Sequence, residues 1–221
     1  MLDLDKINMN LFEKIIGKHK YFSSSVILLL VESENNELSI LFQKRAKNIR
    51  QGGEISFPGG KIDNEDKDSL DTALRETYEE IGVERAKIKI LGKIGTLIIP
   101  SGTLVDAYCG TLKIRDLKDL KINEEEVEEC FLVPVSFFFE NKPRIEKLQV
   151  ETLPHFEENG EKYVFPYKEL KLPKRYHSKI KGISREVYFY IYKDKVIWGI
   201  TADIIYEFVS SIKKGDIYAD K

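Results

Sequence analysis

The sequence predicts one domain of mixed class, α/β (α+β), and three observations carry that prediction. The chain has 221 residues, 42% of them hydrophobic; that is enough for one ordinary core and too apolar for a disordered tail. Apolar, β-branched runs bounded by turn residues recur from residue 23 to residue 198. A segment with a roughly 3.6-residue apolar period interrupts them at about 67–81, and two more flank them at about 4–17 and 200–213. No repeat, low-complexity tract or linker divides the chain, so residues 1–221 are expected to form a single domain.

Taken in order, Leu4, Ile7, Leu11 and Ile15 stand at near-helical spacing and Gly17 closes the segment, giving an amphipathic N-terminal helix. Residues 23–31 are continuously apolar, as in a strand buried on both faces. Asn35-Asn36 is a turn signal, and residues 38–42 are the returning strand of a hairpin. Residues 44–53 are basic and end in Gly52-Gly53, which reads as a surface loop. Phe57-Pro58-Gly59-Gly60 follows, and an acidic stretch leads from it into the helix at 67–81. Strands are expected at 88–99 and 103–112 around Pro100-Ser101-Gly102. An acidic patch at 124–129 precedes an apolar stretch at 130–139. Residues 145–153 and 161–165 read as a strand pair around Glu157-Glu158-Asn159-Gly160, and 186–192 with 195–198 as another around Lys193-Asp194. An amphipathic helix at about 200–213 closes the chain.

Thirty-five Lys and Arg oppose 37 Asp and Glu, a net charge of −2. That balance argues against holding nucleic acid through bulk charge, because phosphate neutralisation needs a basic surplus. A few well-placed cations still suffice for a small anionic ligand. Cys109 and Cys130 form no C-x-x-C pair and the three histidines are scattered, so neither a disulfide framework nor a zinc knuckle is expected. The longest apolar run, 26–31, is far short of a membrane span, and the opening Met-Leu-Asp-Leu-Asp-Lys lacks the basic-then-apolar pattern of a signal peptide. The expectation is a cytoplasmic protein with neither nucleic acid nor membrane as partner.

The informative segment runs from Gly59-Gly60 to Gly82-Val83. On a helix turning about 100° per residue, Leu70, Ala73, Leu74, Thr77 and Ile81 form one stripe that should face the core. Glu76, Glu79 and Glu80 fall on roughly the opposite side, close enough to repel one another. Adjacent glutamates on an exposed face are usually surface decoration. Together with the flanking glycines, however, they suggest a cation held between them, and Mg²⁺ or Mn²⁺ suits an all-oxygen donor set. A phosphate ester is the natural companion of such a metal. Arg75, four residues before Glu79, is placed to orient that carboxylate. Asp66 and Asp68 stand where a cap or first-turn acid belongs.

This segment resembles the signature of the Nudix hydrolases, G-x5-E-x7-R-E-U-x-E-E-x-G-U with U aliphatic. Arg75, Glu76, Glu79, Glu80, Gly82 and Val83 match it position by position, with the box at about 59–83. Counting from Gly60, the arginine arrives one residue late, Asp66 replaces the first Glu, and Thr77 stands at an aliphatic position. The segment before the box resembles the motif of coenzyme A pyrophosphatases, L-L-T-x-R-[SA]-x3-R-x3-G-x3-F-P-G-G. Arg45, Ala46, Arg50, Gly53 and Phe57-Pro58-Gly59-Gly60 match; Phe42-Gln43 replaces Leu-Thr, and the stretch from Arg50 to Gly53 is one residue short. That subgroup tends to carry the same lengthening and the Asp, and residues 197–202 are similar to it as well.

The resemblance implies a Nudix α/β/α sandwich, a mixed sheet between helices with the box as loop–helix–loop. It implies a pyrophosphohydrolase acting on a nucleoside diphosphate linked to another moiety, with coenzyme A or its acyl derivatives as substrate. The alternatives are an ADP-ribose or NADH-type pyrophosphatase, or a non-catalytic nucleotide-binding module, which usually lacks the box acids present here. Glu76, Glu79 and Glu80 would ligate Mg²⁺ or Mn²⁺ with help from the Gly60 backbone, and Arg75 would hold the helix acids. Arg45 and Arg50, with Gly59 and Gly60, would bind the substrate phosphates. Glu126 and Glu129 are candidates for a further acid from outside the box. Pairing into a homodimer, common in the superfamily, stays open.

Overall fold

An apolar run such as Val26–Val31 needs cover on both faces, and the surrounding architecture supplies it. The computed structural model describes residues 15–32 and 37–215. The run lies in β1 (Phe22–Glu32), which pairs antiparallel with β2 (Leu38–Arg45) as the expected hairpin, Leu29 opposite Leu41. The turn expected at Asn35-Asn36 lies outside the described residues. So does the expected N-terminal helix up to residue 14; residues 15–17 form a turn ahead of a 3-10 turn at Lys18–Lys20.

Beyond the basic loop come β3 (Ile55–Ser56), β4 (Gly59–Lys61) and helix α1 (Ser69–Ile81). The chain returns through β5 (Ile88–Ile99) and β6 (Thr103–Leu112), at the bounds the sequence indicates. The stretch at 130–139 divides into the end of β7 (Val127–Pro134) and most of α2 (Val135–Glu140). Strand order is β3-β2-β1-β6-β5, with β4 also paired to β1 and β7 to β2. The β1–β6 pair is parallel and the others antiparallel, so the seven-stranded sheet is mixed.

Side chains along β1 point alternately to its two faces, as the pleat requires, and both faces are buried. Ile27, Leu29 and Val31 pack with Ala73, Leu74 and Ile81 of α1. Leu28 and Leu30 pack with Phe138 of α2 and Ala202, Ile205 and Phe208 of α3 (Gly199–Lys214) on the other face. This is the expected α/β/α sandwich. Each such fully buried Leu or Ile stabilises the fold by about 2 kcal/mol.

Helix α1 begins two residues later than its periodicity suggests because Asp68 caps it, accepting from the Asp71 N–H at 2.8 Å. It ends at Gly82, whose φ of 67° is left-handed; its N–H closes on the Tyr78 carbonyl at 2.9 Å.

A second sheet of three strands, β12-β11-β8, stands beside the first. It comprises β8 (Arg144–Thr152), β11 (Ile180–Tyr192) and β12 (Lys195–Trp198). Here one expectation is corrected. Residues 145–153 do not pair with 161–165; β8 pairs with β11, and the partner of β10 (Glu161–Val164) is β9 (His155–Glu158). Asn159 and Gly160 both have positive φ, 52° and 80°, a two-residue turn that sets Glu158 opposite Glu161. Pro154 donates no backbone hydrogen bond and separates β8 from that hairpin.

Candidate active site

The expectation that all three glutamates point away from the core is corrected: Glu80 follows Ala73 by seven residues, about 20° from it around the helix axis, so it borders the core stripe, and the structure separates the three. Glu79 is exposed, whereas the side chain of Glu76 is 15% accessible and that of Glu80 only 3%. Strand β4 is the cause. Lacking side chains, Gly59 and Gly60 bring their backbone against the helix. A Cβ at Gly60 would lie 2.3 Å from the Glu76 carboxylate carbon, and one at Gly59 2.3 Å from the Ser25 carbonyl oxygen. Gly59 has φ of 146°, and its N–H donates to Glu80 Oε2 at 2.9 Å.

Arg75 is gripped from two sides. Its Nε and Nη2 donate to the two oxygens of Asp66 at 2.9 and 3.0 Å, a bidentate pair. Its Nη1 donates to Glu76 Oε1 at 2.8 Å and Glu79 Oε2 at 3.0 Å, and Nη2 reaches the Lys61 carbonyl at 3.3 Å. The orientation of Glu79 by Arg75 is therefore present. Asp66 also accepts from Thr72 Oγ1 at 2.7 Å and from the Asp63 N–H at 2.9 Å. Capping falls to Asp68, and Asp66 instead holds Arg75, a role its position in sequence does not reveal.

The electrostatics follow from these contacts. The Arg75 hydrogen bond, opposed by burial, holds the Asp66 carboxyl well below the usual range, and the same bond raises Arg75. Burial raises Glu76, partly offset by Arg75. Burial pushes Glu80 up to about 7, against the Gly59 N–H, Gln43 and Arg45, while Glu76 adds repulsion. A cation placed beside Glu80 would relieve that cost.

Arg45, at the end of β2, brings Nη1 to 3.8 Å from Glu80 Oε1. Its N–H donates to the Glu54 carbonyl, its carbonyl accepts from the Gly53 N–H, and its Nε donates to the Arg50 carbonyl at 3.3 Å, so it fastens the basic loop. Arg50 lays its guanidinium 5.4 Å from the centre of the Phe22 ring. Arg45, Arg50, Gly59, Gly60, Glu76 and Glu80 all line one cleft of about 610 Å³, while Arg75 and Glu79 lie outside its lining. Lys44 is paired with Glu128 at 2.7 Å, as an ordinary surface residue would be.

Of the acidic patch, Glu126 lines the cleft, whereas Glu129 is taken by Lys195. The far wall was not legible in sequence. Leu148, Arg185, Val187 and Trp198 line the cleft from the second sheet, and Arg185 is held by Asp203 at 3.0 Å. The pairing of β8 with β11, which creates this wall, carries no local sequence signal.

The donors fit a hard cation in kind, being carboxylates and the Gly60 backbone that packs on Glu76. In the arrangement described, no three His, Cys, Asp or Glu side chains among the described residues converge as a metal cluster. Glu79 is turned to Arg75, leaving Glu76 and Glu80 as the box acids that line the cleft. Burial pushes the thiols of Cys109 and Cys130 up to about 12, which disfavours the thiolate form.

The NUDIX domain model matches residues 22–186, well over half of the chain. The chain belongs to the Nudix hydrolase family. As a Nudix hydrolase it is a pyrophosphohydrolase acting on nucleoside diphosphate derivatives, and enzymes of this family generally use divalent ions such as Mg²⁺ or Mn²⁺. It is 30% identical over 176 residues to the uncharacterized Nudix hydrolase NudL of Photorhabdus laumondii, covering 79% of this chain and 78% of that protein. To NudL of Yersinia pestis (strain Pestoides F) it is 29% identical over 200 residues, 87% of this chain and 83% of the relative. Among solved structures, an Ap4A hydrolase binary complex from C. elegans is 16% identical, covers 51% of this chain and 80% of its own, and has a TM-score of 0.43, too loose a likeness to bear on the Nudix site. Among the described residues no helix is long and apolar enough to cross a membrane.

Proposed function

We propose that this Nudix hydrolase cleaves the diphosphate bond of coenzyme A or its acyl derivatives, giving 3′,5′-ADP and 4′-phosphopantetheine. One observation carries the reading. Arg45 and Arg50, the cations of the stretch resembling the coenzyme A pyrophosphatase motif, open into the same cleft as Glu76 and Glu80.

In this reading Glu76, Glu79 and Glu80 would hold Mg²⁺ or Mn²⁺ together with the Gly60 backbone. The bound metal supplies a water of lowered pKa and neutralises charge on the phosphoryl oxygens. Arg75, anchored by Asp66, fixes the glutamate carboxylates in space. Arg45 and Arg50 bind phosphate oxygens of the nucleotide half, and the Gly59-Gly60 backbone shapes the phosphate loop. Glu126, on the cleft lining, is the acid outside the box placed to take a proton from the attacking water. Leu148, Val187 and Trp198 give the pantetheine arm an apolar wall.

Product analysis by mass spectrometry tests the reading. Protein with Mg²⁺ or Mn²⁺ is given coenzyme A, acetyl-coenzyme A, ADP-ribose, NADH and a nucleoside triphosphate, with Glu79→Gln as control. Release of 3′,5′-ADP from coenzyme A, lost in the control, is the expected result. Cleavage of ADP-ribose or NADH alone would keep the chemistry and reject coenzyme A.

A further inference from the structure

Gln43 lies in β2 with 0% exposure, and neither its amide nitrogen nor its amide oxygen has a hydrogen-bond partner. Its antiparallel neighbour in β3, Ser56, has a buried hydroxyl in the same condition. Residues directly opposite in an antiparallel pair share a face, so two unpaired polar groups adjoin.

Three neighbours identify that face. Leu41, two residues before Gln43, packs in the cluster beneath α1. Arg45, two residues after it, reaches Glu80. Cys130, opposite Gln43 on β7, packs on the cluster beneath α1 as well. Gln43 therefore lies on the face of the sheet that α1 and Glu80 cover.

A buried polar group left unpaired destabilises the fold, whereas an apolar side chain of similar shape in the same slot would avoid that cost. An amide here weakens the fold unless it has another task. We propose that Gln43, backed by Ser56, is a positioning residue for Glu80. The Gln43 N–H donates to the ionised carboxylate and keeps it turned toward the cleft, while the Ser56 hydroxyl donates to the Gln43 oxygen and fixes which way the amide points. The inference rests on the reading of Glu80 as a holder of the metal. Groups that orient a ligating side chain typically contribute 10- to 100-fold to metal affinity.

The test uses Mn²⁺ alone, its free concentration read by electron paramagnetic resonance as protein is added, with no substrate present. Gln43→Leu is expected to keep or raise the melting temperature while weakening Mn²⁺ binding about 10- to 100-fold, and Ser56→Ala to weaken it less. A purely structural role would shift the melting temperature and leave Mn²⁺ affinity alone. If leucine prevents folding, Gln43→Met serves the same purpose. Mn²⁺ binding that disappears in Glu80→Gln but stays within about twofold of wild type in folded Gln43→Leu overturns this proposal and leaves the metal reading standing. A wild-type protein that binds no Mn²⁺ overturns both.

Discussion

The Gly59 N–H donates to the Glu80 carboxylate at 2.9 Å across 21 residues of sequence, joining the loop to the helix at a point where neither has room for another side chain. A run of glutamates on a helix becomes a buried acid facing a cleft through this contact.

The two glycines should therefore fail differently. Gly59→Ala forces a Cβ into the backbone of β1 at a φ of 146°, so it should destabilise the fold by about 1–3 kcal/mol. At Gly60 the obstacle is the end of a flexible Glu76 side chain. Gly60→Ala should keep near-wild-type stability in urea unfolding and lose about 10- to 100-fold in kcat because Glu76 is displaced. Equal stability losses in the two variants would contradict this contrast.

Asp66 should give the protein an acid-sensitive stability. Its folded pKa lies below the ordinary 3.8, held there chiefly by Arg75. The unfolded chain thus binds the proton first, and the contribution is complete above about pH 4 and is lost as pH falls through the depressed folded value. Chemical denaturation of Asp66→Asn should show lower stability at neutral pH and a flatter decline below about pH 4.

If the cation cluster reads the coenzyme A phosphates, Arg45→Ala and Arg50→Ala should cost roughly tenfold or more in kcat/KM for coenzyme A, since a charge-assisted hydrogen bond contributes about 1.5–3 kcal/mol. The loss for ADP-ribose, which has no 3′-phosphate, should be smaller. Equal losses on both substrates would count against the assignment.

Removing metal should abolish activity without unfolding the protein. The box is held by the Arg75–Asp66 pair and the Gly59–Glu80 contact, hydrogen bonds between protein groups that need no ion as a partner. EDTA should eliminate turnover, restored by Mg²⁺ or Mn²⁺, while circular dichroism and melting temperature change little. Loss of secondary structure on chelation would show that the ion shapes the box.

Local signals made much of the fold legible. The β5 and β6 bounds, the α1 core stripe and the closing helix follow from periodicity and turn residues, because neighbours in sequence determine them. The β8–β11 pairing could not be read this way. Its partners are more than twenty-five residues apart, with Lys147 opposite Glu186, and the hairpin between them carries the stronger turn signal.

The sequence alone determined the family-like box: the residue types Arg75, Glu76, Glu79, Glu80, Gly59 and Gly60, their spacing, and hence an oxygen-rich set suited to a hard cation. Tertiary structure decided what each acid became. Helical periodicity fixes angle around an axis and says nothing about what the chain later lays against that face. Strand β4 buried Glu80, Arg75 drew Glu79 outward, Asp66 left the cap to hold Arg75, and a second sheet closed the cleft with Arg185 and Trp198. Those outcomes depend on contacts between distant segments, where burial and charge act through space and not along the chain.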